Sequence, residues 1–424
     1  MDHFELRGGA LHCEGVPLEA IAAAVGTPVY VYSTATMVRH ARVMMEAVSG
    51  CGSGAPLVAY AVKANPNAAV LKTLGDAGLG ADVVSIGEYR RARAARIAAE
   101  RIVFSGVGKT AEEMGEALAG GLLQFNVESI EEARMLSAVA TAQGREAPIG
   151  FRINPDVAAG THAKITTGTA DNKFGIPAAE ALGAYGEAAG LPGLAVRGIT
   201  VHIGSQLTSL DPLEQAFERL GELIGALRRQ GHSISVADLG GGLGVPHGPG
   251  QPEPPSPAAY GTMVRRVTAT WDTRLLFEPG RLIVGNAGVL LTRVVRVKPG
   301  ARDPWLIVDA GMNDLMRPAL YDAYHRIEAV RPTGHRSTVN VVGPVCESGD
   351  TFTMGREMDE VSEGDLIVFR TAGAYGATLA NSYNSRPLTP EVLVDGQRWA
   401  LVRRRVDVDA LAAVQDLAWE NPAD

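Results

Sequence analysis

Lys63 ends an apolar run, "VAYAVK". A lysine so placed is partly desolvated, which favours a neutral amine able to form a Schiff base. A lysine whose head reaches past the end of an apolar strand fits the same residues. "DLGGGLG" puts Gly240, Gly241 and Gly242 in one tight turn, whose bare backbone N–H groups suit a phosphate. A sharp strand–helix turn needing positive φ asks for the same glycines. In "EPGR", Glu278 and Arg281 flank Pro279 and Gly280, either as an ion pair or as two separate ligands. Arg317 and Tyr321, four apart in "MNDLMRPALYDAYH", share a face on a helix, where a guanidinium can grip a carboxylate or simply meet solvent. Tyr375 sits in the Gly/Ala-rich "AGAYGATLANSYNSRP", open to close backbone approach or to ordinary packing. Cys346, in "GPVCESGDTF", reads alone as a buried structural thiol or as a reactive one.

These residues are far apart in sequence, so the elements between them must bring them together. Eight short apolar runs alternate with Ala-rich stretches of helical spacing: 57–63, 81–85, 101–106, 122–128, 149–155, 197–204, 234–240 and 274–280. Helical stretches such as 88–100 and 213–231 lie between them. Alternation of this kind predicts a parallel sheet, and eight units over roughly 220 residues predict a closed (β/α)8 barrel. The alternative, an open doubly wound sheet, lacks its usual G-x-G-x-x-G after the first strand. In a barrel the reactive groups gather at the C-terminal strand ends. Lys63 closes strand one, Asp82 and Ser85 lie along strand two, and His202 near the end of strand six. The glycine turn follows strand seven and "EPGR" ends strand eight, which is where barrel phosphate sites commonly lie.

Two loops break the spacing. Residues 156–177 are too many for a plain turn and read as a lid or binding loop. Residues 244–257, "GVPHGPGQPEPPSP", are too proline-rich for a helix and read as a disordered surface insertion. From about 281 the texture becomes β-like runs broken by Gly and Pro, among them "LLTRVVRVKPG", "WLIVDAG", "STVNVVGP" and "DLIVFRTAG". The opening "FELRGGALHCEG" and "TPVYVYS" read as strands too. The expected organisation is a barrel over 34–280 and a discontinuous all-β domain from 1–33 and 281–424.

Composition limits the class. The 424 residues are 46% hydrophobic and 20% charged, with a net charge of −8, which argues against a nucleic-acid surface. No apolar run reaches the roughly 18 residues of a membrane span, and "MDHFELRGG" has no signal-peptide core. Three scattered cysteines without a CxxC imply neither a disulfide framework nor a zinc cluster. A cytoplasmic protein with reduced thiols is expected.

If the phosphate belongs to pyridoxal 5'-phosphate, Glu278 is the discriminating residue. A carboxylate beside the pyridine nitrogen keeps it protonated and strengthens the ring as an electron sink, which suits decarboxylation. His202 either lies flat on that ring or is a satisfied core histidine.

Taken in order, "YAVKANPN", "ADVVSIGE", "FRINPDV", "THAKITTG", "NKFGI", "HIGSQ", "DLGGGLG", "EPGR", "MRPALYDAYH", "GPVCESGD" and "GAYG…SYNSRP" identify a family. From about residue 3 to 410 the chain resembles the diaminopimelate decarboxylases, members of the alanine-racemase-like (fold type III) pyridoxal phosphate enzymes. The resemblance implies a homodimer with shared active sites, and a small amino-acid substrate. It implies that Lys63 is the Schiff-base lysine and His202 the ring-stacking histidine. It gives Asp82, Ser205, Gly241, Glu278, Pro279, Gly280 and Arg281 as cofactor contacts, and Tyr375 as a contact of both phosphate and substrate. Arg281, Arg317 and Tyr321 resemble substrate-carboxylate ligands. Cys346, as proton donor, and Glu347, reading the distal amino group, would come from the partner subunit.

The sequence departs from the family pattern at Ile86, in the order of "ANSYNSRP", and in the insert at 246–257. Three other readings fit these residues less well. A decarboxylase of ornithine, arginine or a carrier-tethered amino acid is disfavoured by "CESGD", since the ornithine enzymes carry aspartate after the cysteine. A non-catalytic homologue would have lost Lys63 or the glycine turn. A racemase of the class would carry arginine in place of Glu278.

Overall fold

Eight apolar runs become eight parallel strands because both faces of each are covered. They are Leu57–Ala61, Gly80–Val83, Ile102–Phe104, Gln124–Val127, Ala147–Asn154, Leu194–Val201, Val236–Asp238 and Arg274–Phe277 in this computed structural model. The model describes residues 2–157, 172–248 and 250–416. Each strand pairs in parallel with the next. The eighth returns to the first through Leu276↔Leu57 and Phe277↔Val58, so the sheet closes into a barrel as its spacing predicted.

The intervening helices start where the sequence caps them. Ser85, Thr110 and Ser129 each accept the backbone N–H three residues on, and Thr110 with Glu113 forms a reciprocal capping box. The longest, Asp211–Arg229, buries Leu213, Ala216, Phe217, Leu220, Ile224 and Leu227, one stripe at helical spacing. Leu57, Ala59, Val103, Val236 and Leu276 pack together as an apolar cluster of barrel strands.

The chain divides into two compact units, one of residues 37–246 and 250–283, the other of 1–36, 247–249 and 284–424. The second unit is built on a sheet whose long strand, Gly288–Lys298, pairs antiparallel with Val29–Ser33, Leu366–Phe369 and Trp305–Val308. Arg336–Val342 and Thr351–Asp359 extend it on one side, Glu391–Asp395 and Arg398–Arg403 on the other. Phe4, Leu11, Ile21, Val29, Val31, Val289 and Leu291 belong to its core. Val29–Ser33, from the N-terminal segment, is thus a strand of this sheet. Among the described residues, no helix is long and apolar enough to cross a membrane.

Candidate active site

In the barrel unit Lys63 lies just past the first strand, in a one-turn helix Val62–Ala64. Its Nζ is 3.4 Å from Asp82 Oδ2 at the second strand. The desolvation expected from the apolar run is only partial, because the side chain is 40% exposed and faces a buried carboxylate. The other oxygen of that carboxylate, Asp82 Oδ1, is buried with no hydrogen-bond partner. An orphaned buried acceptor beside a lysine is unusual and marks a place where a polar ligand fits.

Glu278 does not pair with Arg281. Its Oε1 is 3.3 Å from Ser105 Oγ and 3.2 Å from Asn126 Nδ2, and that same amide donates to Asp238 Oδ2 at 3.0 Å. Gln124 and Thr200 donate to the Asn126 carbonyl oxygen, each at 2.9 Å, which fixes the amide's orientation. Burial, then the charges of Asp238 and Asp82, push the Glu278 carboxyl well above its usual range. Burial raises Asp238 as well, and the two carboxyls share a hydrogen bond. A hydrogen-bonded carboxyl pair in a dry site retains a proton, and Glu278 is the better holder.

His202 follows the sixth strand. Burial, with Arg152 and Lys63 nearby, drives it well below its usual value, so its ring is neutral. Gly241 N–H donates to Nδ1 at 3.1 Å, so Nδ1 is the lone-pair nitrogen and Nε2 carries the hydrogen. Gly240 N–H is also engaged, donating to Asp238 Oδ1 at 3.0 Å. The glycine turn therefore does not offer a row of bare amides, as its sequence suggested. Its glycines serve a close backbone approach instead: a Cβ on Gly241 would run into the Glu278 carbonyl, and Gly240 and Gly242 hold φ of +63° and +118°. Pro279 and Gly280 sit in the turn after the last strand, and the Pro279 carbonyl accepts Ala61 N–H at 3.2 Å. Arg281 is buried and donates to Ser205 Oγ at 3.1 Å.

The β unit holds the remaining candidates. Arg317 and Tyr321 bound a single helical turn, Arg317–Tyr321, so they share a face as their spacing predicted. Tyr375 has φ of +56°, rare for a side-chain-bearing residue and common at ligand-contacting turns. Cys346 is exposed, whereas Cys13 and Cys51 are buried, so it is not the buried structural thiol that its glycine setting allowed. Its loop is fastened. Asp350 accepts Val345 N–H and Met312 N–H, both at 2.6 Å, and Asn384 accepts Cys346 N–H at 2.8 Å. The Glu347 carboxylate lies near the Tyr383 hydroxyl and raises its pKa.

The family described as pyridoxal-dependent decarboxylase, pyridoxal binding domain, matches residues 35–285. A diaminopimelate decarboxylase of Zymomonas mobilis is 54% identical over 417 residues, covering 98% of this chain and 99% of its own. The chain belongs to the diaminopimelate decarboxylase family. Crystal structures of two members of the family contain L-lysine. The Helicobacter pylori enzyme has a TM-score of 0.89 at 37% identity, over 94% of this chain and 98% of that one. The M. jannaschii enzyme has a TM-score of 0.93 at 34% identity, over 98% of each chain.

Pyridoxal phosphate, the cofactor of this decarboxylase family, fits the barrel residues on structural grounds. There is a lysine at the mouth, an unsatisfied carboxylate oxygen beside it, a neutral flat imidazole, and a carboxyl kept protonated in a dry pocket. Several members of this site were absent from the sequence reading. Asn126 and Asp238 are polar residues within the buried barrel strands and Ser105 follows one directly, and a polar residue in a buried run was the available signal. Arg152, buried between Glu128 at 3.1 Å and the Phe174 ring at 4.6 Å, is another. The proline-rich stretch is not a disordered insertion at its start. Leu243, Gly244 and Val245 are buried, and Gln206 clasps the Val245 backbone with both amide atoms, at 2.7 and 3.2 Å. "THAKITTG" and most of the expected lid lie outside the described residues.

Proposed function

We propose that this chain decarboxylates meso-2,6-diaminopimelate to L-lysine and CO2, the last step of lysine biosynthesis, with pyridoxal 5'-phosphate held by the barrel unit. The observation that carries the reading is the Glu278–Asp238 pair beneath a mouth that holds Lys63 and Asp82. When bound, the cofactor supplies an electron-poor ring that accepts the electron pair released as the Cα–carboxylate bond breaks. Lys63 would hold the cofactor through its Nζ, and Asp82, 3.4 Å away, would take and return protons at that nitrogen. Glu278, held by Asp238 and Asn126, would supply the proton that keeps the bound ring electron-poor. His202 would offer the cofactor a neutral ring face, and Ser205, Gly241, Pro279, Gly280, Arg281 and Tyr375 would be its further ligands.

Arg281, Arg317, Tyr321 and Tyr375 bind the substrate, the guanidiniums taking its carboxylates as forks. Cys346 and Glu347 act in the site of a second copy, in a cytoplasmic homodimer. The exposed thiol on a fastened loop supports that role, since a loop held by Asp350 and Asn384 is preorganised for contact. The L-lysine bound by the H. pylori and M. jannaschii enzymes has the chemistry of the product. CO2 release from diaminopimelate, ornithine and arginine by the purified protein with cofactor tests the reading. Diaminopimelate is expected to react fastest by orders of magnitude; a preference for ornithine would assign the chain to the alternative substrate class.

A further inference from the structure

His325 lies beyond the turn that carries Arg317 and Tyr321, and it is 4% exposed. Its Nδ1 is 2.8 Å from the Arg370 carbonyl oxygen. A carbonyl has no hydrogen to give, so Nδ1 carries the proton and Nε2 is a lone-pair acceptor. Arg317 Nη1, also buried, stands 3.1 Å from that Nε2. The residue is held on further sides, through its backbone and its ring. Arg356 donates to the His325 carbonyl at 3.1 Å while its guanidinium covers the Tyr324 ring at 4.3 Å. His247, from the proline-rich stretch, packs edge-on against the His325 ring, with centroids 6.0 Å apart at 90°.

We propose that His325 is the positioning residue for Arg317. It aims the guanidinium through a neutral acceptor, so that the charge stays available to a substrate carboxylate. A carboxylate in its place would aim the group equally well and cancel the charge. The proline-rich stretch then has a task, which is to supply His247 as the outer wall of this relay. The proposal rests on Arg317 being a substrate ligand, as read above.

The test is a KM-against-kcat comparison of the holoenzyme with diaminopimelate. His325→Gln places an amide oxygen near the position of Nε2, and His325→Asn places its polar atoms near Nδ1 instead. Leaving a buried charged donor without its acceptor is expected to raise KM roughly tenfold or more in His325→Asn. kcat and the absorbance of bound cofactor should hardly change, and His325→Gln should restore most of the KM. Arg317→Met should raise KM further, and adding His325→Asn to it should have no additional effect. If Arg317→Met leaves KM unchanged, the assignment of Arg317 is wrong. If Arg317→Met raises KM but the Asn and Gln variants behave alike, the role given to His325 is wrong.

Discussion

Gly241 N–H donates to His202 Nδ1 at 3.1 Å, which ties the ring expected to cover the cofactor to the turn expected to hold its phosphate. A phosphate oxygen taking this amide must displace the imidazole as its acceptor. The net gain of that contact is therefore smaller than for a free N–H.

His202→Phe keeps a flat ring and removes the competing acceptor. It should bind pyridoxal phosphate as tightly as wild type or up to roughly tenfold more tightly. His202→Ala, which loses the ring, should bind more weakly than wild type. Equilibrium titration of the cofactor absorbance distinguishes the two, and equal losses in both variants would count against the ring-covering role.

Glu278 keeps its proton because of burial and the neighbouring acids. Glu278→Gln removes the acid but keeps the shape. Turnover should fall by roughly 10²-fold or more, since an amide cannot protonate the ring nitrogen. The cofactor-free protein should unfold at a higher temperature than wild type at neutral pH, because a buried ionisable group has gone. Steady-state rates and thermal unfolding of one preparation give both numbers.

Glu88 accepts Val84 N–H at 2.9 Å, and burial raises its carboxyl to about 7. An unfolded glutamate ionises near ~4.3. Below that pH both states are protonated and Glu88 has no effect on stability. Between there and about 7 only the unfolded state ionises, so the folded state loses stability as pH rises. Glu88→Gln should therefore match wild type near pH ~4 and exceed it by at most about 4 kcal/mol at pH ~8. Denaturant titrations of the cofactor-free protein at the two pH values measure the difference.

If Cys346 acts in the partner's site, Lys63→Ala and Cys346→Ala chains complement each other. A mixed dimer has one site with both native residues, so an equal mixture should recover roughly a quarter of wild-type activity. Each variant alone should be far less active. No recovery after subunit exchange would place Cys346 in its own subunit's site or outside the chemistry.

The barrel was legible because its strands are apolar on both faces, and the interruptions by helical spacing count to eight. The ends were overrun at Lys63 and His202. Both follow a strand directly, and a polar residue at the barrel mouth does not break the apolar pattern that defines the strand. Thr351–Asp359 escaped notice because it is a strand of mixed polarity, with Met354, Gly355 and Glu357 exposed. The acid pair was half legible. Glu278 stood out beside "PG", but Asp238 and Asn126 act through side-chain contacts across the barrel, at sequence separations of 40 to 152 residues that spacing does not encode. The stretch at 244–257 reads as disordered because its prolines and glycines signal irregular backbone, and irregular backbone is not the same as disorder.

The central claim is that the Lys63-centred site carries out the decarboxylation. CO2 and L-lysine formed from meso-diaminopimelate, measured together for wild type and Lys63→Ala with cofactor present, test it most directly. Wild type should yield the two products in equal amounts, and Lys63→Ala should yield neither at a comparable rate. Absence of CO2 from wild type, or an undiminished rate in Lys63→Ala, would contradict it.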